Sequence, residues 1–193
     1  MKKLILGSSS PYRKELLQRL HIDFECIAPD IDETPLDDES ASELVTRLGK
    51  EKAYAISKLL SSPAVIIAGD QVAVCDGEIL GKPGDIATAT QQLRKVSGKS
   101  ICFLTSLCVL QSDSDILEIE TIPYTVHFRK LSDPMIDRYL EKEPALNCAG
   151  AFKSEGFGIS LCKKFEGDDP TALIGLPLIR LTTMLENCGI QVV

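Results

Sequence analysis

Apolar residues along this chain fall into two kinds of run, some short and continuous, others spaced by three and four positions. Leu4-Ile5-Leu6 is of the first kind and ends in Gly7 and three serines. Past Pro11 the apolar positions are Leu16, Leu17 and Leu20, a spacing of the second kind. The pattern predicts strand, tight loop and helix. Ser10 suits the N-cap, and Pro11 suits the first helical position, where a missing N–H has no partner to lose. Phe24 to Ala28 predicts a second strand, followed by an acidic loop with Asp30, Asp32, Glu33, Asp37, Asp38 and Glu39. Ser40 and Glu43 form a capping-box pattern that opens a long helix, running to about Leu60. Ala64 to Ala68 predicts a buried strand that leads into Gly69-Asp70-Gln71.

The second half repeats this vocabulary. Val72–Cys75 and Glu78–Leu80 flank Asp76-Gly77, a hairpin signal. Asp85 to about Val96 predicts a helix closed near Gly98. Positions 100–110 and 116–128, rich in Val, Ile, Thr and Phe, predict antiparallel strands across the polar turn Ser112 to Asp115. Ser132 suits the cap of a helix carrying Met135, Ile136, Tyr139 and Leu140. A glycine-punctuated segment covers 149–158, and Pro177 to about Cys188 predicts a last helix ended by Gly189. No internal repeat or low-complexity tract interrupts the 193 residues.

Composition narrows the class. At 193 residues and 44% apolar content, the chain suits one domain, or one domain with a smaller lobe. A net charge of -7 argues against a long nucleic acid as partner, because that needs a basic face. A small anion carried with a metal cation remains compatible. The first apolar run is too short for a signal peptide, and no run approaches the ~20 apolar residues of a membrane span, so a cytoplasmic protein is expected. The seven cysteines are odd in number and form no C-x-x-C pair, which favours free thiols in a reducing cytosol over zinc or a disulfide framework. His21 and His127 sit in no metal or triad spacing.

Five polar features depart from the core pattern. The serine loop opens a helix whose first turn carries Arg13 and Lys14, where the macrodipole disfavours positive charge. Either an anion offsets that cost or the loop is an ordinary capped junction. Lys52 lies four residues after Leu48 and four before Ile56, on the apolar stripe. An inward lysine needs an anionic partner or a wet cleft, unless it snorkels from the stripe's edge. Asp70 follows the end of a strand, where open α/β sheets bind ligands, although a turn aspartate would look the same. Lys82 stands in the tight loop Gly81-Lys82-Pro83-Gly84, and Glu155 stands among glycines. Cations around an amide-lined loop suggest a polyphosphate. Carboxylates beside them suggest magnesium or manganese, bound by oxygen. Neither G-x-x-x-x-G-K-[ST] nor a G-x-G-x-x-G after a strand is present, so this is no P-loop protein or standard dinucleotide binder.

These stretches, in this order, resemble the Maf family of nucleotide pyrophosphatases. The resemblance rests on L-I-L-G-S-S-S-P-Y-R-K-E-L-L near the start, D-E-T-P at 32–35, E-K-A at 51–53, A-G-D-Q-V at 68–72, G-E-I-L-G-K-P at 77–83 and A-G-A-F-K-S-E-G-F-G at 149–158. It implies a single Maf-like domain over 1–193, with a mixed, twisted β-sheet flanked by helices and two lobes around a nucleotide-binding cleft. It implies metal-dependent hydrolysis of a nucleoside triphosphate between the α and β phosphates, and a homodimer. By position, Asp70 matches the catalytic aspartate that accepts a proton from water, and Ser8, Arg13, Lys52 and Lys82 match the phosphate-binding positions. Glu33 matches an acidic residue near the metal, with Asp70 as a second candidate ligand.

Tyr12, Gln71 and Glu155 fall at the positions that distinguish branches of the family. The branch acting on dTTP and UTP has arginine, threonine and glutamine there. This chain instead resembles the branch acting on 7-methyl-GTP. The chemistry agrees. A carboxylate accepts both donors of guanine's Watson–Crick edge, and an aromatic ring stacked on the cationic methylated purine gains roughly 0.5–2 kcal/mol. The alternatives are a dTTP/UTP pyrophosphatase of the same family and a non-catalytic, nucleotide-binding regulator of cell division.

Overall fold

The structure, a computed structural model, describes residues 3–193. In chain order it contains β1 (Lys3–Leu6), α1 (Pro11–Gln18), β2 (Glu25–Cys26), α2 (Ala41–Leu59), β3 (Ala64–Ala68), β4 (Gln71–Cys75) and β5 (Glu78–Leu80). There follow α3 (Ile86–Val96), β6 (Ser100–Gln111), β7 (Ile116–Phe128), α4 (Asp133–Lys142), β8 (Cys162–Glu166), α5 (Pro170–Ile174) and α6 (Leu178–Asn187). The strands form a mixed sheet in the order β2-β1-β3-β6-β4-β5, with β7 on β6 and β8 on β7. The chain divides into two compact units. One takes the chain up to Asp70, Thr105–Ile122 and Asp169–Val193; the other takes Gln71–Leu104 and Pro123–Asp168.

In the first unit β1 runs parallel to β2 and β3, with Leu6 opposite Ile67, while β3 runs antiparallel to β6, with Ala68 opposite Cys108. Side chains alternate between faces. Leu4, Leu6, Val65, Ile67, Leu107 and Val109 pack with Leu16 and Leu17 of α1 and with Leu181 and Leu185 of α6. Ile5, Ile66, Ala68, Cys108 and Leu110 pack with Ala53 and Ile56 of α2. Covered on both faces, β3 has no solvent side, which is why its sequence is apolar throughout. Each fully buried leucine or isoleucine contributes about 1.5–3 kcal/mol. The capping box of α2 forms in full: Ser40 Oγ accepts the Glu43 amide at 3.3 Å, and Glu43 Oε2 accepts the Ser40 amide at 2.9 Å. Asp169, also buried, caps twice. Its Oδ1 accepts the Thr171 amide at the start of α5, and its Oδ2 accepts the Ile179 amide at the start of α6.

In the second unit the β4–β5 hairpin turns on Asp76 and Gly77, both at positive φ. Asp85 caps α3 by accepting the Thr88 amide at 2.8 Å. β7 and β8 pair antiparallel from Thr125 opposite Glu166, with an irregularity at His127/Phe128. Phe152 joins Phe103 and Phe128 in an aromatic core, with centroids 6.0 and 5.1 Å apart.

Two expectations need correction. The strand expected over 24–28 shrinks to Glu25–Cys26, because both residues face solvent and only β1 is there to pair with. Ser132 stands at the N-cap of α4, but its side chain makes no capping bond. The glycine-punctuated segment 149–158, in contrast, holds tight turns of the kind its glycines permit: a 3-10 turn, Ala149–Ala151, leading into another, Phe157–Leu161. Neither β8 nor the five-residue α5 is predicted by the apolar pattern. No described helix is long and apolar enough to cross a membrane.

Candidate active site

β3 delivers the site. Its last residue is followed by Gly69, whose backbone passes so close to the Ser106 carbonyl that a Cβ would collide with it. Only glycine fits this approach. Asp70 comes next, half-buried. Lys52, on α2, is 6% exposed, and its ammonium reaches Asp70 Oδ1 at 2.6 Å and Glu33 Oε1 at 2.7 Å. The inward lysine of the sequence pattern therefore has two anionic partners. Burying an ammonium is costly unless such charges meet it.

Glu33 comes from the acidic loop, and this loop is more than a solvated stretch. Asp32 Oδ1 accepts the Thr34 amide at 2.9 Å, and those Thr34 bonds hold the Asp32 carboxyl below its ordinary value. Arg47 of α2 donates to the Thr34 carbonyl at 3.1 Å and pairs with Glu39 at 2.6 Å. α2 thus carries Lys52 on one turn and anchors the Glu33 loop from another.

Arg13 fastens the other side. Its Nη1 donates to the Gly69 carbonyl at 2.6 Å and its Nε to the Gly175 carbonyl at 2.8 Å. Burial pushes the guanidinium below its ordinary value, while Asp70 and Glu33 oppose that shift. Much of its donor fork is spent on backbone, so Arg13 works as a strut as well as a charge. The serine loop is similarly occupied. The Gly7 amide donates to Ile67, the Ser8 amide to Leu6 and the Ser10 amide to Ser8 Oγ at 3.1 Å. Ser10 Oγ caps α1 through the Arg13 amide at 3.4 Å. Three loop amides are therefore engaged within the fold. Among what the loop can offer an anion is the Ser8 hydroxyl, which accepts the Ser10 amide and keeps a proton to donate.

Tyr12 is half-buried in the first turn of α1. In the second unit Gln71 opens β4, half-buried, and Lys82 is exposed in its loop. That loop is held at Gly81, whose carbonyl accepts the Gly150 amide at 3.2 Å and Gln92 Nε2 at 3.1 Å. Glu155 is exposed, on a loop held by α4. The Lys153 amide donates to the Tyr139 hydroxyl at 3.2 Å, the Gly158 amide donates to Glu143 Oε2 at 3.3 Å, and Lys153 Nζ lies 3.3 Å from Glu143 Oε1.

Sequence reasoning missed Ser106, Gly175, Tyr139 and Glu143. Ser106 left one trace, since Thr105-Ser106 is a polar pair inside the apolar run of β6. Gly175 acts through its backbone carbonyl, and Glu143 through a carboxylate whose partners, the Gly158 amide and Lys153, no spacing betrays.

Among the described residues, no group of three or more histidine, cysteine, aspartate or glutamate side chains is placed to hold a metal ion. The chain offers the pair Glu33 and Asp70, which converge on one ammonium. Two carboxylates suit magnesium or manganese, which take one or two protein carboxylates and complete their shell with phosphate oxygens and water.

Residues 3–188 match the family described as Maf-like protein. A 7-methyl-GTP pyrophosphatase of Pseudomonas aeruginosa is 52% identical over 192 residues, covering 100% of both chains. One of Colwellia psychrerythraea is 52% identical over 192 residues, covering 100% of this chain and 96% of that one. A HAM1 protein from Coxiella burnetii shares the fold, with a TM-score of 0.56 at 17% identity over 97% of this chain and 100% of its own. With its motifs carried in order and relatives half identical from end to end, the chain belongs to the Maf family.

Proposed function

We propose that this protein hydrolyses 7-methyl-GTP to 7-methyl-GMP and pyrophosphate, keeping the modified nucleotide out of RNA. The observation that carries this reading is the buried Lys52 bridging Asp70 and Glu33 just past β3, in a chain half identical to named 7-methyl-GTP pyrophosphatases. Cleaving between the α and β phosphates needs an oriented water and neutralisation of charge on the departing pyrophosphate. Asp70 acts on the water. Lys52 holds its Oδ1 and so orients the carboxylate, presenting Oδ2 for the proton. Ser8, Arg13, Lys52 and Lys82 bind phosphate oxygens. Glu33 and Asp70 would hold a magnesium or manganese ion, which would supply charge neutralisation and lower the pKa of water. That help matters because carboxylates are weak bases near neutrality. Glu155 accepts the N1–H and N2 amino donors of guanine, Tyr12 stacks on the cationic ring, and Gln71 completes the base selection. The seven free thiols suit a reducing cytoplasm. A homodimer belongs to the same reading, and sedimentation measures it directly.

The test is steady-state hydrolysis of 7-methyl-GTP, GTP, dTTP and UTP with magnesium, scoring pyrophosphate against orthophosphate. Preference for 7-methyl-GTP with pyrophosphate release is expected. A dTTP or UTP preference would remove the assignments of Tyr12, Gln71 and Glu155. Tight binding with no turnover would point to the regulator instead.

A further inference from the structure

Ser106 is 1% exposed, and the bonds of its hydroxyl and amide lead to Asp70 and to α2. Its Oγ accepts the Asp70 amide at 2.8 Å and donates to the Val45 carbonyl at 2.6 Å. Its own amide donates to the Asp70 carbonyl at 2.9 Å. The backbone of Asp70 is thus held from both sides, and the same hydroxyl is fastened to the helix that carries Lys52. α2 comes this close because position 49 has no side chain, since a Cβ on Gly49 would lie 2.7 Å from Ser106 Oγ. A buried hydroxyl in an apolar strand persists only where its bonds are used.

We infer that Ser106 is a positioning residue for hydrolysis. It sets the Asp70 carboxylate against Lys52 through the Asp70 backbone, and it touches no substrate. This rests on the reading of Asp70 as the group that acts on water. Asp70 follows a glycine, the residue that restricts backbone direction least. Bonding both its amide and its carbonyl removes that freedom. An error of about 1 Å in a reacting group costs up to about 100-fold in rate.

The experiment compares the full-length wild type with Ser106→Ala and Gly49→Ala. The first removes the hydroxyl, and the second crowds it away from the Asp70 amide. Three readouts are taken: kcat and KM for 7-methyl-GTP with magnesium, the folded fraction by circular dichroism, and hydrogen exchange of the Asp70 amide by NMR. The expected result is a fall in kcat of about 10- to 100-fold in both variants, with KM changed less than about threefold and faster exchange at Asp70. A kcat within about twofold of wild type in a folded variant would overturn the inference, as would a loss that merely tracks the folded fraction. Should Ser106→Ala not fold, Gly49→Ala decides. Fast exchange of the Asp70 amide in the wild type, at the rate of exposed loop amides, would overturn it without any variant. If the wild type releases no pyrophosphate from any nucleotide, the reading of Asp70 fails. The exchange data then judge the tether by themselves.

Discussion

The ammonium of Lys52 lies 2.6 Å from Oδ1 of Asp70, joining the middle of α2 to the residue just past β3. Both groups are largely withdrawn from solvent, with side chains 7% and 15% exposed. Substituting Asp70→Asn keeps the volume and removes the charge. Lys52 retains Glu33 at 2.7 Å, so its ammonium is not stranded. We expect kcat to fall about 10²–10⁴-fold and Tm to move by less than about 4 °C. Steady-state kinetics and a thermal melt check both. Full activity in this variant would remove Asp70 from the reaction.

If Tyr12, Gln71 and Glu155 read the base as proposed, exchanging them should exchange substrates. The triple variant Tyr12→Arg, Gln71→Thr, Glu155→Gln is expected to prefer dTTP and UTP over 7-methyl-GTP. Glu155→Gln alone loses one acceptor for guanine and should lower kcat/KM for 7-methyl-GTP about 10-fold or more. Competition assays with paired nucleotides give the ratio directly.

A side chain at Gly158 would collide with the Lys153 carbonyl, and that clash falls on backbone rather than on a flexible tip. Gly158→Ala should therefore cost about 1–3 kcal/mol in a denaturant titration. It should also raise KM for 7-methyl-GTP more than it lowers kcat, because the disturbed loop carries Glu155. An unchanged KM with lowered stability would separate the loop from substrate binding.

Chelation should stop catalysis without unfolding the protein. The described residues include no cluster of three or more metal-ligating side chains, and the two candidate carboxylates already share Lys52. A structural metal would behave oppositely, since its removal denatures the fold it supports. We expect turnover to vanish in excess EDTA and return with magnesium, while Tm without nucleotide stays constant. A melting transition lowered by EDTA would contradict this.

Alkaline pH should destabilise the fold through two cysteines. Burial pushes the Cys108 and Cys162 thiols up from an ordinary 9.0 to about 12. The unfolded chain ionises these thiols first, so it gains stability relative to the folded state as pH rises. The stability they support is complete below pH 9.0 and is lost between there and about 12. Urea midpoints should fall across that window, and Cys108→Ala should flatten the slope. Exposed Cys26 should meanwhile react first with a thiol reagent.

Periodicity predicted most of the elements. β3 and α2 were legible because one is covered on both faces and the other on one, and each pattern has its own period. Lys52 stood out for the same reason, as a charge on an apolar stripe. Asp70 was visible from its place after a strand. β2 was overestimated because Phe24 and Ile27 are apolar for packing, not for strand pairing. The double role of Arg13 was hidden, because its acceptors are carbonyls of Gly69 and Gly175, and a backbone carbonyl has no sequence signature. Ser106 was hidden for the related reason that its partners are the amide of Asp70 and the carbonyl of Val45.

Arg13 joins an early residue to a late one, since Gly175 stands 162 positions further along the chain. The apolar cluster under β1 is likewise completed by Leu176, Leu181 and Leu185. During synthesis, which proceeds from the N-terminus, the first strand and helix therefore wait for the last helix before their core can close. Asp70 emerges from the ribosome well before the strut that steadies Gly69 has its second anchor. An incomplete nascent chain therefore lacks both the second anchor of Arg13 and a closed core beneath β1, and both arrive only with the final segment.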